Sequence, residues 1–421
     1  MAGTDAGVPE AGVHEAVTRL ARGDGGRVTA LLATRFGDLD LADESVQDAL
    51  VEAVSSWPAC GVPDNPAAWL LTVARNKAVD RLRREGARRR RALRAADAVH
   101  EATLPAAERG LVREEGDVDD PHLRLLLLCC HPALHRDTQV ALTLRLVGGL
   151  TTSEIAAAFL QTEAAVTQRI VRAKRKIRLA GMPLSIPGDL DERVDVLLGV
   201  LYLVFNEGYL PRGGTDGVVR VDLADEAVRL TRLARALLPG RPEVDGLLAL
   251  LLYARSRFAA RTDEDGELVL LEDQDRSRWD TALVEEANQV LAGAVARRRP
   301  GTYQLQAVIA SYHANARRAA DTDWPAIELA YRRLASDNPS PVVRLNHAVA
   351  EAMADGPDAG LARLAGIEGL DRYHLFHAVR GDLLARTGDT AGARAAFGRA
   401  RALTTNPAEQ RLLDRRLSGL G

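Results

Sequence analysis

The sequence predicts an all-α protein: two small helical domains, the second a helix-turn-helix, joined by an acidic linker and followed by a helical-repeat extension. Three observations carry this. Ala, Leu and Arg dominate a chain that is 47% apolar but only 4% aromatic, a mixture that favours packed helices over sheets. Apolar residues recur at three- and four-residue spacing, the period of one helix face. The 421 residues exceed the ~100–200 of one ordinary domain, so several domains with their own cores are expected.

The three cysteines, Cys60, Cys129 and Cys130, make a poor disulfide framework and suit a reducing compartment, so the cytoplasm is expected. The start of the chain lacks a basic segment followed by an apolar core. Apolar runs such as Val196 to Phe205 fall short of the ~18 residues of a membrane span, so no membrane partner is expected. Net charge is only −3, yet charge is segregated. Residues 67–94 hold nine Arg and one Lys against two acids, net +8, and residues 161–180 hold six basic residues against one acid, net +5. Both are candidate phosphate-contacting surfaces. Residues 97–120 carry eight acids and two arginines, net −6, and residues 189–286 carry 21 acids against 12 basic residues, net −9.

The first domain, residues 13–94, reads as amphipathic helices with turns at Gly23–Gly26, Gly37–Leu39 and Trp57–Asn65. Asn65 as N-cap with Pro66 after it opens a helix. Helical spacing puts Leu71, Ala74, Ala78 and Leu82 on a core stripe and Trp69, Asn76, Lys77, Asp80, Arg83 and Arg84 opposite. Cations, an amide and an indole on one face suit phosphates and an unstacked base, although the charges alone equally describe a solvated face. The acidic stretch 95–120, with Pro105, Gly110 and Gly116, reads as a linker.

In the second domain, residues 121–182, Thr151 and Glu154 form a capping box. Thr162 caps a further helix, in which Val166, Ile170, Ala173 and Ile177 recur at helical spacing and leave Gln168, Arg169, Arg172, Arg175 and Lys176 largely outward. Two short helices with a basic second one are a helix-turn-helix pattern, which a plain helical hairpin shares. The extension divides into residues 187–300 and 301–421. Asn338-Pro339 recurs as Asn406-Pro407, 68 residues on, which is twice the tetratricopeptide period. Gly388-Asp389 followed by Ala393, Ala396, Phe397 and Ala400 suits the packing of that repeat. Cys129, Cys130, His131 and His135 lack a second ligand pair at zinc spacing, and Pro132 interrupts them, so core packing is expected and no metal. No phosphate-binding glycine loop, nucleophile elbow or zinc-protease motif occurs, so neither an enzyme nor a cofactor is expected.

The segment DNPAAWLLTVARNKAVDRLRR, residues 64–84, resembles the promoter −10 helix of sigma-70 family transcription factors. The resemblance implies that Trp69, Asn76, Lys77, Asp80, Arg81 and Arg84 line DNA, with the 57–66 loop as a pocket for a flipped base. Upstream, DLADESVQDALVE, residues 40–52, resembles the family's polymerase-binding helix, with Val46, Leu50 and Ala53 inward and Asp43, Glu44, Gln47 and Asp48 outward toward core RNA polymerase. GLTTSEIAA, residues 149–157, continuing to VTQRIVRAKRKI, residues 166–177, resembles the −35-binding region. Leu160 and Ala164-Ala165 depart from the family pattern. By resemblance, Glu163, Ala165, Gln168 and Arg169 approach bases, and Thr151, Thr152, Arg172 and Lys174 contact phosphates.

With no third sigma domain between the modules, the chain resembles the extracytoplasmic-function class, and CCHPAL at 129–134 with the long tail resembles its subgroup with a fused tetratricopeptide-like extension. The expected partners are core RNA polymerase and promoter DNA. The net −9 block beside two basic modules suggests an intramolecular contact of the extension with the sigma domains. Two other classes share parts of this pattern: a helical-repeat adaptor, and a stand-alone helix-turn-helix repressor, which leaves the −10-like helix without a role.

Overall fold

The computed structural model describes residues 10–96, 120–159, 161–186, 188–209, 221–264 and 267–420. The chain divides into two units, residues 1–200 and 201–421. The caps that the sequence places at Asn65, Thr151 and Thr162 each open a helix. In the first unit, α1 (Glu10–Leu20) runs through a π turn at Ala21–Gly25 into α2 (Gly26–Phe36). The turn expected at Gly23–Gly26 is therefore a wound segment, because glycine in a helix costs only ~1 kcal/mol and packing outweighs it. Gly37 ends α2 at φ +66. The Asp38 carboxylate accepts from the Leu41 amide at 3.0 Å and opens α3 (Leu39–Cys60).

α3 continues through Pro58, so only residues 61–65 remain of the loop expected from Trp57. Trp57 is 2% exposed and extends the core formed by Val28, Leu32, Val46, Leu50 and Leu70. Burying that indole holds the last turn helical. Asn65 accepts from the Ala68 amide at 3.0 Å and opens α4 (Pro66–Ala96). Residues 97–119, nearly all of the expected linker, lie outside the described residues.

The second module contains α5 (Pro121–Cys129), α6 (Arg136–Leu142) with a π turn after it, α7 (Thr152–Ala158) and α8 (Glu163–Leu179). Cys129 and Cys130 are buried in its core. Desolvation pushes the Cys130 thiol up to about 12 and Cys129 well above its usual value. His131 Nδ1 accepts from the Ala133 amide, and His135 Nδ1 caps α6. Helix α9 (Leu190–Tyr209) follows, and the division between the units falls within it. Asn206 and Glu207 lie in its last turns.

The second unit contains α10 (Val221–Leu237), α11 (Pro242–Ser256), α12 (Thr281–Ala296) and α13 (Thr302–Asn315). α11 buries Val244, Leu247, Leu248, Leu251, Leu252 and Tyr253, and a helix apolar around most of its girth belongs at the centre. α12 and α13 pack on it. After these come α14 (Trp324–Asp337), α15 (Pro341–Asp355), α16 (Pro357–Leu364), α17 (His374–Thr387), α18 (Thr390–Leu403) and α19 (Pro407–Ser418). Ala393, Ala396, Phe397 and Ala400 are buried as the repeat pattern requires. A Cβ on Gly381 would stand 2.7 Å from the Phe397 ring. The two Asn-Pro pairs differ in use: Asn406 caps α19, whereas Asn338 ends α14 and Ser340 caps α15. Among the described residues the only strand-like pairing is one bridge, Thr262 with Leu268.

Candidate nucleic-acid interface

α4 carries the first basic surface. Its fully buried row is Leu70, Ala74 and Ala78. Leu71 is half-buried beside it, and Leu82 is 43% exposed. The expected stripe is thus shifted by one residue at its start and fails at its end, where α4 outruns the core beneath it. Asn76, Asp80 and Arg84 are exposed, as are Arg75 and Arg83. Trp69, expected to line DNA, is half-buried, its ring edge-on to Trp57 at 5.2 Å against the end of α3. Lys77 pairs with Glu52 at 2.5 Å. Arg81 pairs with Glu44 and, at 2.6 Å, with Asp48. The Asp48 hydrogen bond outweighs desolvation, and with Glu44 it holds the Arg81 guanidinium above its ordinary value.

These pairs join α4 to the acidic face of α3. Val46, Leu50 and Ala53 are buried as expected. Glu44 is exposed, and Gln47 and Asp48 are half-buried. Asp43, expected to point outward, is 6% exposed, because the second module covers it.

The second basic surface is α8. Thr151 Oγ1 accepts from the Glu154 amide at 3.1 Å while Glu154 Oε2 accepts from the Thr151 amide at 2.7 Å, completing the capping box. Thr162 caps α8 through the Ala165 amide, and Thr152 Oγ1 donates to Glu163 at 2.9 Å, tying the two helix starts together. Val166, Ile170, Ala173 and Ile177 are all buried. Glu163, Ala165, Gln168 and Arg172 are exposed, and so are Arg175 and Lys176. Arg169 is half-buried and donates to Gln161 at 2.8 Å. Leu160 lies outside the described residues.

Lys174 differs from its neighbours. Expected as a phosphate contact, it is 8% exposed, with Nζ 2.9 Å from Asp43 and 3.1 Å from Asp40. Desolvation pulls the ammonium down, but the two carboxylates outweigh it and hold Lys174 above the ordinary lysine value. Arg178 reaches Asp40 at 2.7 Å, and Arg22 reaches Glu154 at 3.1 Å. The backbones also touch. A Cβ on Gly26 would lie 2.9 Å from the Val147 carbonyl, and one on Gly149, at φ +72, 2.4 Å from the Ala21 carbonyl. Only glycine admits such approaches. In the sequence, the i, i+4 spacing of Lys174 and Arg178 carries a signal for paired cations, but nothing in it locates their partners.

Thr151→Ala is expected to lower the stability of the second module by about 1 kcal/mol, seen as a fall in Tm. Burial pushes the Glu154 carboxyl up, but hydrogen bonds from Thr151 and the charge of Arg22 outweigh it, so the group titrates below its usual range. Its contribution is therefore full above the unfolded value of ~4.3 and lost as pH falls through the lower folded value. The Thr151→Ala chain should show less of this acid sensitivity.

No group of side chains suited to a metal ion occurs among the described residues. No helix among them is long and apolar enough to cross a membrane. Four family models match the chain: Sigma-70 region 2 at residues 20–88, Sigma-70 region 4 at 124–177, a family of unknown function (DUF6596) at 193–295, and a tetratricopeptide repeat-like domain at 277–421. An uncharacterized protein of Rhizobium meliloti (strain 1021) is 45% identical over 377 residues, covering 89% of this chain and 88% of its own.

Proposed function

We propose, from the premise that this chain belongs to the sigma-70 family and directs transcription initiation, that it reads a two-part promoter with the exposed faces of α4 and α8 and is modulated by its own extension. One observation carries the reading: two basic helix faces stand on separate modules, α4 paired with the acidic helix α3 and α8 capped by Thr162 just after a helix with a completed capping box. Asn76, Asp80, Arg84 and the neighbouring Arg75 and Arg83 would face the −10 element. Glu163, Ala165, Gln168 and Arg172 would face the −35 element, with Thr151 and Thr152 at the phosphates next to a helix N-terminus. Glu44, Gln47 and Asp48 present the acidic surface for polymerase. Trp69, Lys77, Arg81 and Arg169 take part through the residues they brace.

The test is transcription by core RNA polymerase on pooled promoter fragments, with and without the protein. Transcripts that require it and share two spaced upstream elements are expected, and their absence would overturn the reading. Arg84→Ala should lower promoter affinity about equally across sequences and reduce the slope of log affinity against log salt by about 1. For the extension, a protease site inserted between residues 210 and 220 permits cleavage after folding. A changed promoter output is expected on removal of residues 221–421: a rise if the extension covers a binding surface, a fall if it helps engage polymerase. Unchanged output would sink modulation.

A further inference from the structure

In the extension, the last stretch of the connection from α11 to α12, residues 267–280, holds no helix longer than the single turn Arg276–Arg278. Its far end is anchored. Trp279 is buried, the Asp280 amide donates to the Ser256 carbonyl at 2.9 Å, and Arg276 donates to the carbonyls of His313 and Ala316 where α13 ends. Its near end is held by charge instead. Glu267 pairs with Arg411 and, at 2.7 Å, with Arg415, and Glu272 pairs with Arg416 at 3.5 Å, all on α19. In a stack of helix pairs every second helix lines one face, here α13, α15, α17 and α19, and the segment touches the first and the last of them. Arg415 also reaches the Leu268 carbonyl at 3.5 Å. Between the two glutamates stand Leu268, Val269, Leu270 and Leu271, four aliphatic residues that are all only half-buried.

We infer that α19 provides a docking surface for an extended acidic segment of another protein, one with carboxylates on either side of a short aliphatic run, and that residues 267–273 of this chain occupy it until such a partner displaces them. The charges select an acid. Arg411 and Arg415 both end on the Glu267 carboxylate, the only acid among the described residues that pairs with either, so a segment with more carboxylates satisfies them better. The bond from Arg415 to a main-chain carbonyl requires no particular side chain, which suits an extended ligand. The resident segment is displaceable, because Arg411 and Arg415 are half-exposed and exposed ion pairs contribute little and are screened by salt. Half-buried aliphatic side chains likewise hold less than core ones. The anchored end, with Trp279 in the core, stays in place, so displacement moves the segment and not the helices. The inference is independent of how α4 and α8 meet promoter DNA.

The experiment titrates the full chain into a fluorescently labelled synthetic peptide with the sequence of residues 267–273, ELVLLED, and follows its anisotropy. The native chain is compared with the double variant Glu267→Lys, Glu272→Lys, which sets like charges against Arg411, Arg415 and Arg416 and so vacates the surface. The double variant should bind the peptide about tenfold more tightly or better, since an occupied site lowers apparent affinity by the fraction that is open. Adding Arg411→Ala and Arg415→Ala to it should abolish the gain, and so should a peptide with glutamine at both glutamate positions. Equal affinity of the native chain and the double variant would overturn displacement, and no binding by either would overturn the docking surface. Binding that survives loss of the arginines or of the peptide's glutamates would overturn the acidic specificity. A native chain that is dimeric by light scattering, and monomeric in the double variant, would assign the surface to the same segment of a second copy and overturn the partner reading. Should the double variant not fold, Glu267→Gln, Glu272→Gln takes its place, and the same outcomes decide.

Discussion

Replacing Trp57 with alanine is expected to cost about 3–5 kcal/mol and to abolish −10-dependent transcription at temperatures where the native chain is active. Trp57 is among the largest fully buried side chains, and it joins the end of α3 to the start of α4 through its contact with Trp69. Alanine there leaves a cavity between α3 and α4. The indole N–H has no hydrogen-bond partner among the described residues, so Trp57→Phe keeps most of the packing and breaks no polar contact seen there. Its cost should be clearly smaller. Thermal unfolding of the two variants checks this, and equal Tm values for alanine and phenylalanine would show that the site does not depend on ring packing.

Val166→Asp is expected to unfold the helix-turn-helix. Val166 is 0% exposed and begins the buried row that continues through Ile170, Ala173 and Ile177, the face by which α8 packs on α6 and α7. An unpaired carboxylate there must be buried without a partner or must force the helix outward, and either costs about 3 kcal/mol or more. At roughly 1.4 kcal/mol per tenfold change, −35-duplex binding should fall about a hundredfold or more. The first module, with its separate core, should retain its own unfolding transition. Binding near the native level would mean that α8 is not held by this face.

These two sites differ in how legible they were. The Val166 row follows directly from helical spacing, because a capped two-turn helix and a basic amphipathic one leave a single face to bury. At Trp57 the sequence points to the start of a loop, since Pro58 and Gly61 weaken a helix locally. Burial of the indole overrode that preference. The shift from Leu71 to Leu70 has a similar origin: spacing fixes which residues share a face, whereas the position of the neighbouring core decides which edge of that face it covers. The turn expected at Gly23–Gly26 is wound into the helix because Gly26 serves close packing, against Val147.

The sequence by itself determined the all-helical class, the caps at Asn65, Thr151 and Thr162, the buried row of α8, and the family, because caps and periodic faces depend on residues within one or two turns of each other. Only the tertiary structure decided which basic residues are free. Lys77, Arg81, Lys174 and Arg178 look in the chain like Arg75, Arg84, Arg172 and Arg175, yet the first four are paired with the acids of α3. A charge's availability is set by what lies opposite it in space, and for Lys174 and Asp43 the partners are 131 residues apart. No local pattern encodes that distance.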